Sequence, residues 1–143
     1  MKKMSWDEIK KLLNKKIHAI RRYDPDIIVA ISRGGVVPAA IIAYLLKKPL
    51  TSMKIRLYED GKNPRRAFKE PKLLEEFTSD MKNKKILLVD DVSNTGTTMK
   101  KAKAVLVAKK ASKIKTFVIN RKPGSDMDFY GMSSGDCILF PWS

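Results

Sequence analysis

The chain has 143 residues, of which 43% are apolar and 31% are charged, and its 30 basic and 15 acidic side chains leave a net charge of +15. This length and apolar content exclude a disordered tail, and the lone Cys137 excludes a small disulfide-stabilised domain. The charge favours anionic partners, among them nucleotides, phosphorylated sugars and nucleic acid. We expect one domain over residues 1–143, with a core over about residues 24–120, a flexible loop over about residues 58–71 and a C-terminal unit over about residues 121–143.

No segment of the sequence is typical of a membrane span or a secretion signal. The longest apolar run, Val36 to Leu46, has 11 residues and contains Pro38, whereas a membrane-spanning helix needs about 20. Asp7 and Glu8 follow soon after the basic start of the chain, so the apolar core of a signal peptide is missing. We therefore expect a cytoplasmic protein.

Hydrophobic periodicity and turn residues predict alternating helices and strands. Ser5 and Glu8 form a capping-box pattern at the start of the first helix, and Pro38 is tolerated in the first turn of the second. In chain order we expect a helix over residues 5–23, a strand over 27–31, a helix over 37–46, a strand over 50–57, a loop over 58–71, a short helix over 72–81, a strand over 86–90, a polar loop over 91–97, a helix over 98–110 and a strand over 115–119. This alternation predicts an α/β fold with an open, mainly parallel sheet and helices on both faces, extended by an irregular appendage over the last twenty residues.

Two polar loops follow predicted strands, at the sheet edge where ligands of such folds bind. Residues 91–98, Asp-Val-Ser-Asn-Thr-Gly-Thr-Thr, place hydroxyls, a glycine and backbone N–H groups at the start of a helix, which suits a monophosphate. The loop matches neither the GxxxxGK[ST] phosphate loop nor the dinucleotide GxGxxG pattern. A helix-capping loop without a ligand is the alternative.

Charged groups accompany both loops. Asp90 and Asp91 suit hydrogen bonds from sugar hydroxyls or the binding of Mg²⁺; alternatively, Asp91 caps the turn and Asp90 pairs with a lysine. In the other loop, Arg33 suits a second phosphate, and Gly34 and Gly35 allow close backbone approach. A Gly-Gly pair is also common in a turn that binds nothing.

A family resemblance rests on three segments in order. Residues 86–98, ILLVDDVSNTGTT, closely resemble the phosphoribosyl pyrophosphate signature of type I phosphoribosyltransferases, in which four apolar residues and two acids precede a Thr-Gly phosphate loop. Residues 31–39, ISRGGVVPA, look like the pyrophosphate loop of the bacterial and archaeal xanthine-guanine and hypoxanthine-guanine members. Lys122-Pro123, residues 128–131 and residues 140–142 are similar to the C-terminal hood of those enzymes. The resemblance covers nearly the whole chain.

The resemblance implies the fold of that family with a small C-terminal hood, and transfer of a 5-phosphoribosyl group from phosphoribosyl pyrophosphate to a purine nitrogen with release of pyrophosphate. It implies that the loop over 58–71 closes over the reacting centre, with Arg65 and Arg66 facing the donor or solvent. The implied site residues are Asp90, Asp91 and Asn94 as catalytic groups; Ser93, Asn94, Thr95, Gly96, Thr97 and Thr98 for the 5-phosphate; Ser32, Arg33 and Gly34 for pyrophosphate; Lys122, Cys137 and Ile138 for the base; and Asp90 and Asp91 for Mg²⁺, directly or indirectly.

Two positions depart from the family pattern. Asn94 stands where the purine enzymes usually carry an Asp that accepts the proton of N7, and an amide is not a general base at neutral pH. Cys137 stands where they usually carry an aromatic ring that stacks on the purine. These changes bear on the identity of the base and on the turnover rate more than on binding of the donor.

We therefore expect a purine-salvage phosphoribosyltransferase that acts with Mg²⁺ on xanthine, guanine or hypoxanthine and yields a nucleoside monophosphate. Two alternatives remain: a regulatory module that binds phosphoribosyl pyrophosphate or a nucleotide with little catalysis, and a nucleic-acid-binding protein on the same fold. The second is disfavoured because the basic residues are spread along the sequence without an aromatic-interleaved stripe. The resemblance implies a homodimer or higher homo-oligomer, and no membrane partner is expected.

Overall fold

The computed structural model describes residues 1–56 and 69–143. In chain order, its elements are β1 (Lys2–Lys3), α1 (Trp6–Tyr23), β2 (Ile27–Ser32), α2 (Val36–Leu46), β3 (Leu50–Arg56), β4 (Lys72–Leu73), β5 (Lys85–Ser93), α3 (Thr97–Ala108), β6 (Lys113–Arg121), β7 (Phe129–Ser133) and β8 (Ile138–Leu139). None of the helices within the described ranges is long and apolar enough to cross a membrane.

A six-stranded sheet in the order β4-β3-β2-β5-β6-β7 forms the centre of the fold. β2 pairs in parallel with β3 and β5, β5 with β6, and β6 with β7, whereas β4 runs antiparallel to β3 at one edge. β1 and β8 form a separate two-stranded parallel sheet. The prediction of an α/β fold with an open, mainly parallel sheet is confirmed.

Helices cover both faces of the sheet. Leu87 and Val89 of β5 pack with buried residues of α1 and α2, whereas Ile86 and Leu88 pack with buried residues of α3. Successive side chains of a strand point to opposite faces, so the unbroken apolar run of β5 is buried on both. The middle of the sheet is therefore packed against hydrophobic side chains on both faces.

The capping box predicted for the first helix is present. Ser5 Oγ accepts a hydrogen bond from Glu8 N at 3.1 Å, and Glu8 Oε1 accepts one from Ser5 N at 3.2 Å. These bonds satisfy two amide groups that the helix itself leaves without acceptors. The helix ends at Tyr23, where Asp24 adopts the left-handed conformation.

The helix predicted over residues 72–81 is wrong. Lys72 and Leu73 form β4, and the chain from there to β5 has no helical backbone. Phe77 and Met81 are buried on the face of the sheet that α3 covers. Their helical spacing arises because both side chains reach the same part of the core. Of the predicted loop over 58–71, residues 58–68 lie outside the described part of the chain.

The C-terminal half of the chain is more regular than the sequence predicts. The strand expected over 86–90 continues to Ser93, because its end pairs with β6. The polar loop therefore begins at Asn94, and Asp90 and Asp91 are both strand residues. The expected irregular appendage instead supplies β7, which joins the main sheet, and β8, which pairs with β1.

Candidate active site

Two loops meet where neighbouring strands end. β2 and β5 are adjacent and parallel, so the turn after β2 and the loop after β5 leave the sheet at the same edge. A Cβ atom placed on Gly34 would lie 2.5 Å from Oδ2 of Asp91, so the backbone of the turn packs directly against this carboxylate. Glycine allows this approach because it carries no side chain. The structure thus joins the two polar segments that the sequence singled out.

Backbone contacts hold the turn after β2 in place. Gly35 N donates to Ile31 O at 2.9 Å, and a Cβ atom on Gly35 would collide with Val89 O of the neighbouring strand. The peptide bond between Ser32 and Arg33 is cis. Arg33 is exposed beside it, so a guanidinium group and glycine backbone lie together at this end of the sheet.

Asp90 and Asp91 are half-buried carboxylates near the end of β5. Asp90 Oδ1 accepts a hydrogen bond from Asp91 N at 2.8 Å, and Asp91 Oδ1 accepts one from Val92 N at 2.8 Å. Oδ2 of Asp91 accepts a longer bond, at 3.4 Å, from the indole Nε1 of Trp142. No ion pair joins either acid to a basic side chain in the described ranges, so the alternative pairing of Asp90 with a lysine is not observed there.

Burial governs the protonation of both acids. It raises the pKa of Asp90 well above its ordinary range, and the negative charge of Asp91 raises that pKa further. Burial also raises the pKa of Asp91, against the opposing effect of hydrogen bonds that include the one from Trp142. Hydroxyl donors or a cation at this point would stabilise the ionised forms. The pair therefore suits a sugar hydroxyl or a developing positive charge.

The loop after β5 leads into an uncapped helix. Asn94 and Thr95 are exposed, and Gly96 precedes the helix with φ at 85°. Thr97 and Thr98 begin α3, and no described side chain caps its first amide groups. The hydroxyls of Thr95 and Thr97 lie 3.1 Å apart. Free amide groups and hydroxyls at a helix start suit an anion with several oxygens.

Ser93 lies apart from these groups. Its side chain is buried, and its Oγ accepts a hydrogen bond from Ser125 Oγ at 2.6 Å. The Ser93 hydroxyl is therefore engaged inside the fold, and the assignment of Ser93 to the 5-phosphate stays a prediction.

The residues predicted to contact the base lie in the C-terminal segment. Lys122 N donates to Ser93 O at 3.0 Å, which places Lys122 beside the end of β5. Cys137 is exposed, and its carbonyl accepts a hydrogen bond from Lys2 N at 2.8 Å. Ile138 is paired with Lys2 across β1 and β8. The N-terminus thus holds the segment that carries two of the three residues, a contact that no local pattern in the sequence predicted.

A cavity of about 370 Å³ opens beside the turn after β2. Its walls are Ser32, Arg33, Ser52, Met53, Lys54, Arg56, Glu75, Glu76 and Phe77. Lys54 and Arg56 add positive charge next to Arg33, and Lys54 Nζ lies 3.4 Å from Glu75 Oε1. Neither residue was predicted from the sequence, although their alternation along β3 places them on one side of the strand. Arg65 and Arg66 lie outside the described residues.

Few side chains are placed to ligate a metal ion in the described part of the chain. Within residues 1–56 and 69–143, no group of three or more His, Cys, Asp or Glu side chains could hold a metal ion. A pair of carboxylates alone fits Mg²⁺ better than a softer metal, because Mg²⁺ takes one or two carboxylates and completes its shell with substrate phosphates and water. The Asp90 and Asp91 pair is therefore compatible with Mg²⁺ brought by a phosphorylated substrate.

Known protein families and relatives resemble this chain over most of its length. A family model described as a phosphoribosyl transferase domain matches residues 3–142. The hypoxanthine-guanine phosphoribosyltransferase of Schizosaccharomyces pombe is 30% identical over an alignment that covers 96% of this chain and 86% of the relative. The orotate phosphoribosyltransferase of Sulfurisphaera tokodaii is 30% identical over 115 residues, which cover 80% of this chain. The chain spans only about half the length of that relative, since the alignment covers 53% of it.

Solved structures show the same architecture. The purine phosphoribosyltransferase from Pyrococcus horikoshii superimposes with a TM-score of 0.85 at 26% identity, over 99% of this chain and 94% of that one. A hypothetical protein from Neisseria gonorrhoeae with bound ppGpp has a TM-score of 0.80 at 21% identity, over 99% of this chain and 89% of that one. The second likeness is one of fold alone.

Proposed function

The chain belongs to the phosphoribosyl transferase domain family, and on this premise we propose that it transfers the 5-phosphoribosyl group from phosphoribosyl pyrophosphate to a 6-oxopurine. Xanthine, guanine and hypoxanthine are the candidate bases. The packing of Gly34 against Asp91 carries the proposal, because it joins a pyrophosphate loop and a pair of ribose-binding acids at one point. The base assignment is supported by the hypoxanthine-guanine relative, which this chain covers over 86% of its length, against 53% for the orotate relative.

The donor would bind across both loops. We assign its 5-phosphate to residues 94–98, where the uncapped start of α3 and the threonine hydroxyls suit an anion. We assign its pyrophosphate to residues 32–34, with Lys54 and Arg56 contributing positive charge from the adjoining cavity. The ribose then lies between the two phosphate sites, next to Asp90 and Asp91.

In the reaction, the bond between ribose C1 and a pyrophosphate oxygen breaks, and a bond between C1 and a purine nitrogen forms. The electron pair of the broken bond leaves with pyrophosphate, so the ribose ring carries positive charge in the transition state. Asp90 and Asp91 accept hydrogen bonds from the ribose hydroxyls and stabilise this charge. Their partial burial strengthens the effect, because less water screens them.

The purine nitrogen loses its proton as the new bond forms. Asn94 is exposed in the phosphate loop and can accept a hydrogen bond through its amide oxygen, but it takes up no proton at neutral pH. We therefore assign the proton to water and assign to Asn94 the role of orienting the base. This arrangement predicts slower turnover than a carboxylate at the same position would give.

Mg²⁺ is the metal ion that this donor chemistry favours. When bound, it neutralises charge on the pyrophosphate oxygens. Asp90 and Asp91 would hold it, directly or through water and the ribose hydroxyls.

Base recognition is assigned to the C-terminal segment. The Lys122 ammonium group would donate to the 6-oxo oxygen of the purine, and its backbone bond to Ser93 anchors it beside the reacting centre. Cys137 and Ile138 would line the opposite side of the base. A thiol presents less surface than an aromatic ring, so weak base binding is expected.

The decisive experiment measures pyrophosphate release from phosphoribosyl pyrophosphate and Mg²⁺, with xanthine, guanine, hypoxanthine, adenine, orotate and uracil offered separately. Release that depends on a 6-oxopurine, and that Asp91→Ala abolishes without loss of folding, would establish the proposal. Release with orotate alone would replace the purine assignment. The matched control is Asp80→Asn, which neutralises an exposed carboxylate while its side-chain oxygen can still accept the hydrogen bond from Lys82 N.

A binding module is the second candidate, because Asn94 and Cys137 both lack the group that a purine-transferring site ordinarily uses. Calorimetric titration with phosphoribosyl pyrophosphate and Mg²⁺ separates the two candidates. Donor binding without release of pyrophosphate for any base would favour the module.

A further inference from the structure

Six lysines gather at the amino end of the sheet, opposite the candidate active site. They come from the start of β5, the turn after α3 and the start of β6. We call this set the lysine cluster: Lys84, Lys85, Lys109, Lys110, Lys113 and Lys115.

Backbone contacts bring these three segments together. Lys85 and Lys113 are direct neighbours in the parallel pairing of β5 with β6. Lys84 O accepts a hydrogen bond from Ser112 N at 2.9 Å. Lys110 O accepts a backbone hydrogen bond, also at 2.9 Å, from the segment just before β5. The cluster is therefore a continuous part of the surface built from residues that are separate in sequence.

An aromatic ring orders half of the cluster. The Nζ atoms of Lys85, Lys115 and Lys113 lie 5.0, 5.1 and 5.8 Å from the centre of the Tyr23 ring. Tyr23 OH donates to Ile86 O at 2.7 Å, which fixes the ring. Cation–π attraction holds the three ammonium groups near each other, so less conformational entropy is lost when they bind an anion.

Nearby carboxylates offset only part of the positive charge of the cluster. No cluster lysine forms an ion pair with a carboxylate in the part of the chain that the structure describes. Among nearby acids, Asp24 pairs with Lys48, which is outside the cluster, at 3.0 Å. Asp26 Oδ2 accepts a hydrogen bond from Lys85 N at 2.8 Å, and Asp128 Oδ2 accepts one from Thr116 N at 2.9 Å. Three carboxylates therefore stand against six lysines, which leaves an excess of positive charge. A bound anion would relieve the mutual repulsion of the six ammonium groups.

We propose that the lysine cluster binds the phosphate backbone of a nucleic acid without regard to its sequence. Lysines spread across the amino ends of neighbouring strands match a row of phosphates. A single small phosphate instead needs donors that converge in a cavity. The cavity described above lies at the other end of the sheet, beside Arg33.

Folding brings together lysines that are far apart in the sequence. The basic residues are spread along the chain, which disfavoured a nucleic-acid partner, but strand pairing assembles three short runs into one surface. An anionic membrane is a poorer match, because firm interfacial binding adds a buried apolar face to the electrostatic attraction, and the described residues of the cluster segments carry no large exposed apolar side chain; Val107 is the exposed one on the preceding helix α3. The cluster and the phosphate loops lie at opposite ends of β5, so bound nucleic acid leaves the candidate active site open.

Fluorescence anisotropy with a short labelled single-stranded RNA tests the proposal. The combined variant Lys84→Gln, Lys109→Gln and Lys113→Gln removes three charges from the cluster, and the control Lys10→Gln, Lys11→Gln and Lys15→Gln removes three from the exposed face of α1. For single strands, the slope of log K against log salt is about −0.7 for each neutralised phosphate, so the cluster variant should reduce the steepness of the slope by about 2. The control should leave the slope unchanged.

Charge-conserving replacement supplies a second check. Lys84→Arg, Lys109→Arg and Lys113→Arg together should retain the full salt slope, and circular dichroism should show all variants folded. The proposal would be overturned if the cluster and control variants lost the same amount of salt slope. It would also be overturned if the wild type bound no RNA near physiological salt. Binding to phosphatidylserine vesicles without binding to RNA would overturn it as well, in favour of a membrane surface.

Discussion

The indole Nε1 of Trp142 lies 3.4 Å from Oδ2 of Asp91, so a side chain at the C-terminal end of the chain contacts a candidate ribose-binding acid. Trp142 stacks on Phe140, with 4.9 Å between ring centroids and 1° between ring planes. It also packs against Trp6 of α1, with 5.9 Å between the ring centroids. Ser143 closes the terminal turn, since its N donates to Phe140 O at 3.0 Å. The environment of Asp91 therefore depends on the start of α1 and on the C-terminal turn.

Trp142→Phe keeps an aromatic ring on Phe140 but removes the donor to Asp91. A hydrogen bond of this kind contributes about 1 kcal/mol, so we expect kcat/KM for the donor to fall roughly fivefold. The thermal midpoint should change little. Steady-state kinetics measure the effect, and Trp6→Phe is the control because Trp6 packs on Trp142, whereas the indole that donates to Asp91 is that of Trp142. An equal fall in both variants would show that ring packing alone matters.

Asp90→Asn should stabilise the ligand-free protein at neutral pH. Burial and the Asp91 charge raise the pKa of Asp90 in the folded state, so the ionised carboxylate destabilises the fold. This destabilisation is absent below the unfolded pKa of about 3.9 and grows as pH rises through the folded pKa. Thermal unfolding of wild type and variant should therefore coincide near pH 3 and diverge, with the variant higher, towards pH 7.

The same change should lower turnover by about a hundredfold or more, because it removes a charge that acts in the transition state. Asp80→Asn replaces an exposed carboxylate and should change neither stability nor turnover. A variant that is less stable than wild type at neutral pH would contradict the assignment of an unfavourable buried charge.

Substitutions at the two adjacent glycines should separate function from stability. Gly34→Ala would place a Cβ atom 2.5 Å from Oδ2 of Asp91, so we expect weaker donor binding and slower turnover. Gly35→Ala would meet the backbone of β5, and overpacking of this kind costs about 1–3 kcal/mol of stability. In Gly135→Ala the added Cβ atom has no neighbour within 4 Å in the described part of the chain, so this variant serves as the control. Chemical denaturation and kinetics on the three variants provide the measurements, and a stable, fully active Gly34→Ala would contradict the assigned contact.

Asn94→Asp should preserve or raise turnover. The exposed carboxylate would accept the proton of the purine nitrogen, and general-base groups contribute up to about 10²–10⁴-fold. An exposed Asp has an ordinary pKa of about 3.9, so the gain in turnover should be constant at neutral pH and disappear as the pH falls through that value. The pH profile of kcat/KM measures it. Activity that appears only in this variant would identify the natural chain as a binder.

Much of the fold followed from local patterns in the sequence. The capping box of Ser5 and Glu8 located the start of α1, and the apolar runs of β2 and β5 predicted buried parallel strands. The two candidate phosphate loops were identified in the same way, because glycine turns and polar loop residues directly follow those strands. These features are set by backbone preferences and burial within a few residues, so the sequence alone determines them.

Contacts between distant segments were decided only by the tertiary structure. The spacing of Phe77 and Met81 fitted a helix, yet both residues reach the core from non-helical backbone beside β4. The bond from Trp142 to Asp91, the pairing of β1 with β8 and the lysine cluster all join residues far apart in the chain. A single sequence shows which residues prefer burial, but not which partners meet there, because strand pairing and side-chain packing are optimised over the whole chain.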